Sequence, residues 1–192
     1  MTRALIGAGG HATEVMAQLD EDLPCFVEDE YASHNTIPMS EFNPTEYSVM
    51  VAIGDSKLRR QIINRLPKET DFFSFIHPTA LIMNNSIKIG VGSFIGANCI
   101  LTTNIKIGDH ALLNRGNHIS HDCCIGNYFS AMPNAILSGN VKIGDEVYLG
   151  GNSSIREEVE ICDKVTIGMG GVVTRSIRKH GTYVGVPVRI KK

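Results

Sequence analysis

The sequence predicts a chain of two units: a small α/β unit with a parallel sheet, followed by a parallel β-helix built from hexapeptide repeats. Three observations predict it. From about Met83 to Val173 an aliphatic residue or alanine returns at every sixth position, from Ile89, Ile95, Leu101 and Ile107 through to Ile161, Ile167 and Val173. A second column, two residues earlier, is mostly small or apolar, as at Ser93, Cys99, Ala111, Cys123, Ala135 and Val165. Residues 1–76 lack this period and alternate short apolar runs with helical patterns.

In chain order, residues 4–6 read as a strand, 11–19 as a helix, 25–27 as a second strand, 49–53 as a third and 57–66 as a second helix. Strands separated by crossover helices imply a small parallel sheet. A last apolar run, 72–76, leads to His77-Pro78, where the proline marks entry to the second unit, 77–192. No helix or ordinary strand has a period of six. Such a repeat belongs to a β-helix, in which three short strands make each coil and neighbouring coils bury one another's apolar row. Positions two apart in a strand share a face, so both columns point inward and the residue between them points out. Glycine follows the aliphatic residue at Gly90, Gly96, Gly108, Gly126, Gly144, Gly150 and Gly168, as expected of corners needing permissive backbone angles.

Composition narrows the function. With 192 residues and a formal net charge of −2, the chain can bury a real core but offers no field for nucleic acid. No apolar run approaches the roughly 18 residues of a membrane span. Met-Thr-Arg passes directly into the first strand with no signal-peptide pattern, so a cytoplasmic location is expected. The five cysteines form no paired framework and read as reduced, with Cys99 and Cys123 in inward slots.

Gly7-Ala8-Gly9-Gly10-His11-Ala12 lies between the first strand and first helix, where backbone N–H groups can hold a phosphate. It satisfies a loose dinucleotide fingerprint, and Glu28-Asp29 follow at about the expected 20 residues. A dinucleotide such as NAD needs two mononucleotide halves, however, and this unit supplies one. Gly54, ending the third strand, would line the same sheet edge, although a tight turn alone would equally explain it.

In the repeat, the segment from Asn114 to Cys124 stands out, with His118 pointing outward and His121 at a corner beside Asp122. An adjacent carboxylate fixes the imidazole tautomer and favours the imidazolium, which suits His121 as a general base. At one coil per about 18 residues, Thr103 and Gly139 share its column, and Gly139 would leave open space beside the ring. His118-x-x-His121 also raises a zinc reading, but a tetrahedral site wants three or four protein ligands, so no metal is expected.

These motifs resemble the sugar acyltransferases of the left-handed β-helix class, in the branch containing UDP-N-acetylbacillosamine N-acetyltransferase and sialic acid O-acetyltransferases. The likeness covers nearly the whole chain: Ile6-Gly7-Ala8-Gly9-Gly10-His11, Val51-Ala52-Ile53-Gly54, His77-Pro78, Asn114 with His118-Ile119-Ser120-His121-Asp122-Cys123, and Gly185-Val186-Pro187. The resemblance implies a left-handed helix, a homotrimer, and acetyl-CoA in the cleft between adjacent β-helices. It also implies a nucleotide-linked amino sugar held by the first unit. It makes His121 the catalytic base, Asp122 the acid that raises its basicity and Asn114 an active-site asparagine. Gly9, Gly10, His11, Glu28, Asp29 and Gly54 match the sugar-nucleotide site, and Gly139, Gly151 and Met169 fall where the pantetheine arm lies. Ser130 stands where relatives often place a histidine that contacts acetyl-CoA.

The implied reaction is N-acetylation of an amino-deoxy sugar at its C4 amine, for bacterial surface glycan. Two rivals stand beside it: sugar O-acetylation with the same base, and a zinc hydratase of γ-carbonic-anhydrase type. The basic tail, Arg175, Arg178, Lys179, Arg189, Lys191 and Lys192, either meets the CoA phosphates or serves only solubility.

Overall fold

The computed structural model describes residues 1–191; Lys192, the last cation of the tail, lies outside the described residues. The first unit is a parallel sheet of β1 (Thr2–Ile6), β2 (Cys25–Val27), β3 (Ile37–Pro38), β4 (Tyr47–Val51) and β5 (Asp71–Phe72), ordered β3-β2-β1-β4-β5. Helix α1 (Gly10–Leu19) follows β1, and α2 (Ser56–Ile63) follows β4. Alternate strand residues serve opposite faces. Leu5, Cys25 and Met50 pack with Ala12 and Val15 of α1, whereas Ala4, Phe26 and Val49 pack with Ile62 of α2.

Three details differ from the pattern-based expectation. Strand β3 escapes it because a two-residue edge strand ending in proline carries almost no periodic signal. Helix α2 stops at Ile63, and Arg65 and Leu66 continue as tighter turns onto the carbonyls of Ile62 and Ile63. The run 72–76 divides: Phe72 closes the first sheet, while β6 (Phe75–Ile76) pairs with Phe94–Ile95 of the coils.

The second unit is a left-handed parallel β-helix of triangular section. Strands β6, β7 (Leu81–Ile82) and β8 (Lys88–Ile89) begin three faces, here named A, B and C, and each strand pairs in register with one 18 residues further on. The inward columns are the core: Leu101, Leu113, Ile119, Leu137, Leu149 and Ile155 are all essentially inaccessible. Gly181–Gly185 and the antiparallel Val188–Ile190 end face A.

Glycine's role at the corners is not the one the repeat suggested. Gly90, Gly108, Gly126 and Gly144 have no positive φ; they are required because the next coil passes too close, a Cβ at Gly90 standing 2.5 Å from the backbone nitrogen of Asp109. The left-handed residue is instead the third after each inward aliphatic, with φ between 52° and 70°, as at Asn98, Asn104, His110, Gly116, Asp122, Asn134 and Asn140. Asparagine, aspartate and glycine tolerate that region best.

The outward columns give each face its role. Face A presents Phe94, Leu112 and Ser130, all buried beneath the α/β unit. Face C presents Lys88, Lys106, Cys124, Lys142 and Glu160, all exposed. Face B presents Leu81 and Ile136, 50% and 42% exposed, with Ile100, His118, Ser154 and Val172 in the same rows. It is an apolar face turned to solvent in the single chain.

The two units are stapled by Arg59 of α2. Its guanidinium, 2% exposed as a residue, donates to the carbonyls of Ile53 (2.6 Å), His110 (3.0 Å), Tyr128 (2.8 Å) and Phe129 (3.0 Å) and to the Ser130 hydroxyl (2.9 Å). Burial lowers its pKa to about 10, which leaves it charged at neutral pH. Arg60 pairs with Glu146 of the coils beside it. Among the described residues no helix is long and apolar enough to cross a membrane.

Candidate active site

His121 stands on the edge between faces B and C, two residues after β-strand His118–Ile119. Its Nδ1 lies 2.7 Å from Oδ2 of Asp122, and Oδ1 of Asp122 accepts from Nδ2 of Asn104 at 3.1 Å. The bonds from His121 and Asn104 hold the Asp122 carboxyl below its usual range, so it is ionised at neutral pH. With Nδ1 engaged in this way, Nε2 is the ring nitrogen left for a substrate proton. The ring lies over Gly139, where a Cβ would stand 2.5 Å from Cε1. The space that Gly139 was expected to leave beside the imidazole is thus occupied by the imidazole itself, and any larger residue there would displace it.

Asn114 stands on a different edge, between faces A and B, at the end of Leu112–Leu113. Within one chain it is therefore not brought to His121. Its Nδ2 donates to Oε2 of Glu14 on α1 at 3.2 Å, and its Oδ1 accepts from the Arg115 amide at 2.7 Å. Arg115 in turn reaches Oε1 of Glu14 at 3.1 Å. Burial pushes the Glu14 carboxyl up, but hydrogen bonds from Asn114 and Arg115 outweigh it and the net shift is down. Two inward residues hold the corner from below: Asn117 donates to the Asn114 carbonyl, and Cys99 lies 3.1 Å from the same oxygen.

The expected cofactor residues divide between these edges. Gly139 shares the His121 column, whereas Gly151 and Met169 continue the Arg115 column, with Met169 81% exposed. Ser130 does not belong with them. It is fully buried on face A, accepting from Arg59 and donating to the Gly54 carbonyl at 2.8 Å, so its hydroxyl cannot meet acetyl-CoA.

The expected sugar-nucleotide residues divide as well. A cleft of about 1770 Å³ opens at the carboxyl edge of the first sheet, lined by Gly7, Gly9, Glu28 and Asp29 over an apolar floor of Phe26 and Phe42. Gly54 lines a second cavity of about 910 Å³ beside α2, with Met132 and Tyr148; Gln61 and Asn64 border both. Only Gly7 needs its glycine for the backbone, at φ +105°. A Cβ at Gly9, Gly10 or Gly54 would meet nothing within 4 Å, so at these three positions the fold itself does not demand the missing side chain. Gly9 caps α1 without a side-chain bond, which leaves the first-turn N–H groups available. His11 departs from the expectation: it turns away from the cleft, edge-on to Phe94 at 5.7 Å and 3.8 Å from Glu14. Burial lowers its pKa, with Glu14 opposing.

For a metal the geometry is poor. His118 points out of face B and His121 sits on the edge. His110 is packed between Phe72 and Tyr128, where burial pushes it down to about 4. Among the described residues no group of three or more His, Cys, Asp or Glu side chains comes together.

Sequence reasoning missed Glu14, Arg59, Asn104 and Asn117. Asn104 was findable, since it stands 18 residues before Asp122 in the same left-handed column. The Glu14 and Arg59 contacts arise only from the docking of the two units.

Comparison with known proteins agrees with this architecture. The PglD N-terminal domain matches residues 4–66, and the hexapeptide repeat of succinyl-transferase matches residues 86–116 and 140–175. GDP-perosamine N-acetyltransferase of Escherichia coli O157:H7 is 32% identical over 110 residues, 57% of this chain and 49% of the relative. The chain thus matches about half the length of that curated relative. Two solved structures match throughout. WeeI from Acinetobacter baumannii AYE is 28% identical, with a TM-score of 0.88 and full coverage of both chains. PerB from Caulobacter crescentus, solved in complex with CoA and GDP-perosamine, is 27% identical with a TM-score of 0.85, covering 100% of this chain and 98% of that one.

Proposed function

We propose that this member of the hexapeptide-repeat sugar acyltransferases moves an acetyl group from acetyl-CoA to the amine, at C4, of a nucleotide-linked amino-deoxy sugar. The observation that carries the reading is the relay of His121, Asp122 and Asn104 at an exposed edge. The sugar amine attacks the thioester carbonyl, Nε2 of His121 takes the amine proton, and backbone N–H groups stabilise the oxyanion. The C–N bond forms as the C–S bond breaks. The imidazolium returns its proton to the departing sulfur, giving amide and free CoA thiol with no acyl-enzyme.

The nucleotide belongs in the cleft at Gly9, Glu28 and Asp29, its phosphates at the open amino end of α1. A homotrimer completes the site. Face B is apolar and flanked by the two candidate edges. Packing it around a threefold axis lays the His121 edge of one copy against Asn114 of the partner subunit. Acetyl-CoA then lies in the groove between edges, beside Gly139 of one copy and Gly151 and Met169 of the partner subunit.

The test is a thiol-release assay with acetyl-CoA and a panel of UDP-, dTDP- and GDP-linked 4-amino sugars; the GDP sugars are included because of the curated relative. Release with at least one, yielding a base-stable amide, is expected. Silence across the panel would sink the reading, and a base-labile product would indicate O-acetylation.

Asp122→Asn separates charge from geometry. Asp122 sits at φ +61°, a region asparagine adopts readily, so the backbone is unaffected. The expected loss in kcat is about tenfold, from the weaker base alone. A loss equal to that of His121→Ala would mean that Asp122 does more than tune the imidazole.

A further inference from the structure

Glu14 is a helix-surface carboxylate that neither the nucleotide cleft nor the base relay uses, yet it makes the polar contacts between α1 and the edge carrying Asn114. One oxygen receives Asn114 Nδ2 at 3.2 Å and the other Arg115 Nη1 at 3.1 Å. The same helix begins at Gly9 and Gly10, where a phosphate would dock, and His11 of its first turn lies 3.8 Å from Glu14. The Asn114 amide is otherwise committed: its Oδ1 is taken by the Arg115 amide, and its backbone carbonyl is fixed by Asn117. Rotation about the last side-chain bond is thus the freedom left to the carboxamide, and Glu14 removes it. Fold stability does not require this. Glu14 is 44% exposed as a side chain, and alanine is the best helix former at such a position.

We propose that Glu14 is a positioning residue that acts through Asn114, holding its carboxamide in the orientation that acyl transfer requires and tying that orientation to the helix that receives the sugar nucleotide. The proposal rests on the acetyltransferase reading above. It places the reacting end of the sugar at the junction of α1 and the A/B edge, next to the His121 edge of the partner subunit. The ionised carboxylate, with both oxygens engaged, accepts the Asn114 N–H and leaves no rotamer in which the carboxamide turns its oxygen toward α1.

The experiment is a double-mutant cycle on the full chain, with acetyl-CoA and whichever amino sugar nucleotide the wild type acetylates best. Glu14→Ala is expected to lower kcat roughly 10–100-fold, the order a small misplacement costs. KM for both substrates should stay within about threefold and the thermal midpoint within about 2 °C. In an Asn114→Ala background the same change should cost less than about twofold, because residues acting as a unit are not additive. Equal costs in both backgrounds, or a rise in sugar KM with kcat unchanged, overturn the assignment. If Asn114→Ala does not fold, Glu14→Gln decides: it keeps an oxygen for Asn114 and should stay within about threefold of wild type, and a rate as low as that of Glu14→Ala overturns the proposal. A wild-type chain inert on every amino sugar overturns the acetyltransferase reading and this assignment together, whereas an active wild type matched by Glu14→Ala overturns this assignment alone.

Discussion

His121→Ala lowers kcat by about 10²–10⁴-fold, the range for removing a well-placed general base, while KM for both substrates changes little. The reason lies in where the ring sits. Its side chain is 55% exposed on the B/C edge, packs over a glycine, and has its Nδ1 committed to Asp122, so only Nε2 faces outward. Removing it deletes no core contact, and the thermal midpoint should move by less than about 2 °C. Steady-state kinetics of thiol release, with circular dichroism melting of the same preparation, would separate chemistry from folding. A variant that turns over at near-normal rate would remove His121 from the mechanism.

The second large effect is structural. Arg59→Met removes the guanidinium that bridges the Gly54 loop and the coils, and it orphans several buried acceptors at once, among them the carbonyls of His110 and Tyr128. Breaking a buried charged network of this kind costs about 3–5 kcal/mol. For a chain of this size that is roughly 10 °C in thermal midpoint. Methionine retains most of the volume, so the loss reports hydrogen bonding rather than a cavity. Arg59→Lys should not restore the midpoint, because an ammonium cannot present the planar fork that reaches Ile53, His110, Tyr128 and Ser130 together. A midpoint within about 2 °C of wild type in the methionine variant would show that apolar packing, with Phe94 and Leu112 beneath the first sheet, holds the units together without the staple.

The coils were legible because their rule is local and repeated: a side chain's face follows from its position modulo six, and the three-faced register then separates core, docking, apolar and charged columns. His121 and Asp122 were legible for the same reason. Asn114 was legible as a residue but not as a neighbour of Glu14, since that contact depends on how α1 lies against the coil. Ser130 shows the limit most plainly. In the repeat it is simply an outward position on a strand, and only the α/β unit folded over face A turns it into a buried link between Arg59 and Gly54. His11 fails likewise: a histidine after a glycine loop suggests a phosphate contact, but the docked coil supplies Phe94 and the ring turns to it.

The in-register coils also act as a ruler. Each coil adds one interstrand spacing, about 4.8 Å, so Met169, three coils beyond Arg115 in the same column, stands roughly 14 Å along the axis. Lengthening or shortening the groove can then proceed only in whole coils: an insertion of 18 residues preserves every column, whereas one of six or twelve carries all later side chains onto the wrong face. The reach available to a long thiol such as pantetheine is quantised by the backbone, and descendants of this chain could retune it without altering the chemistry of either edge.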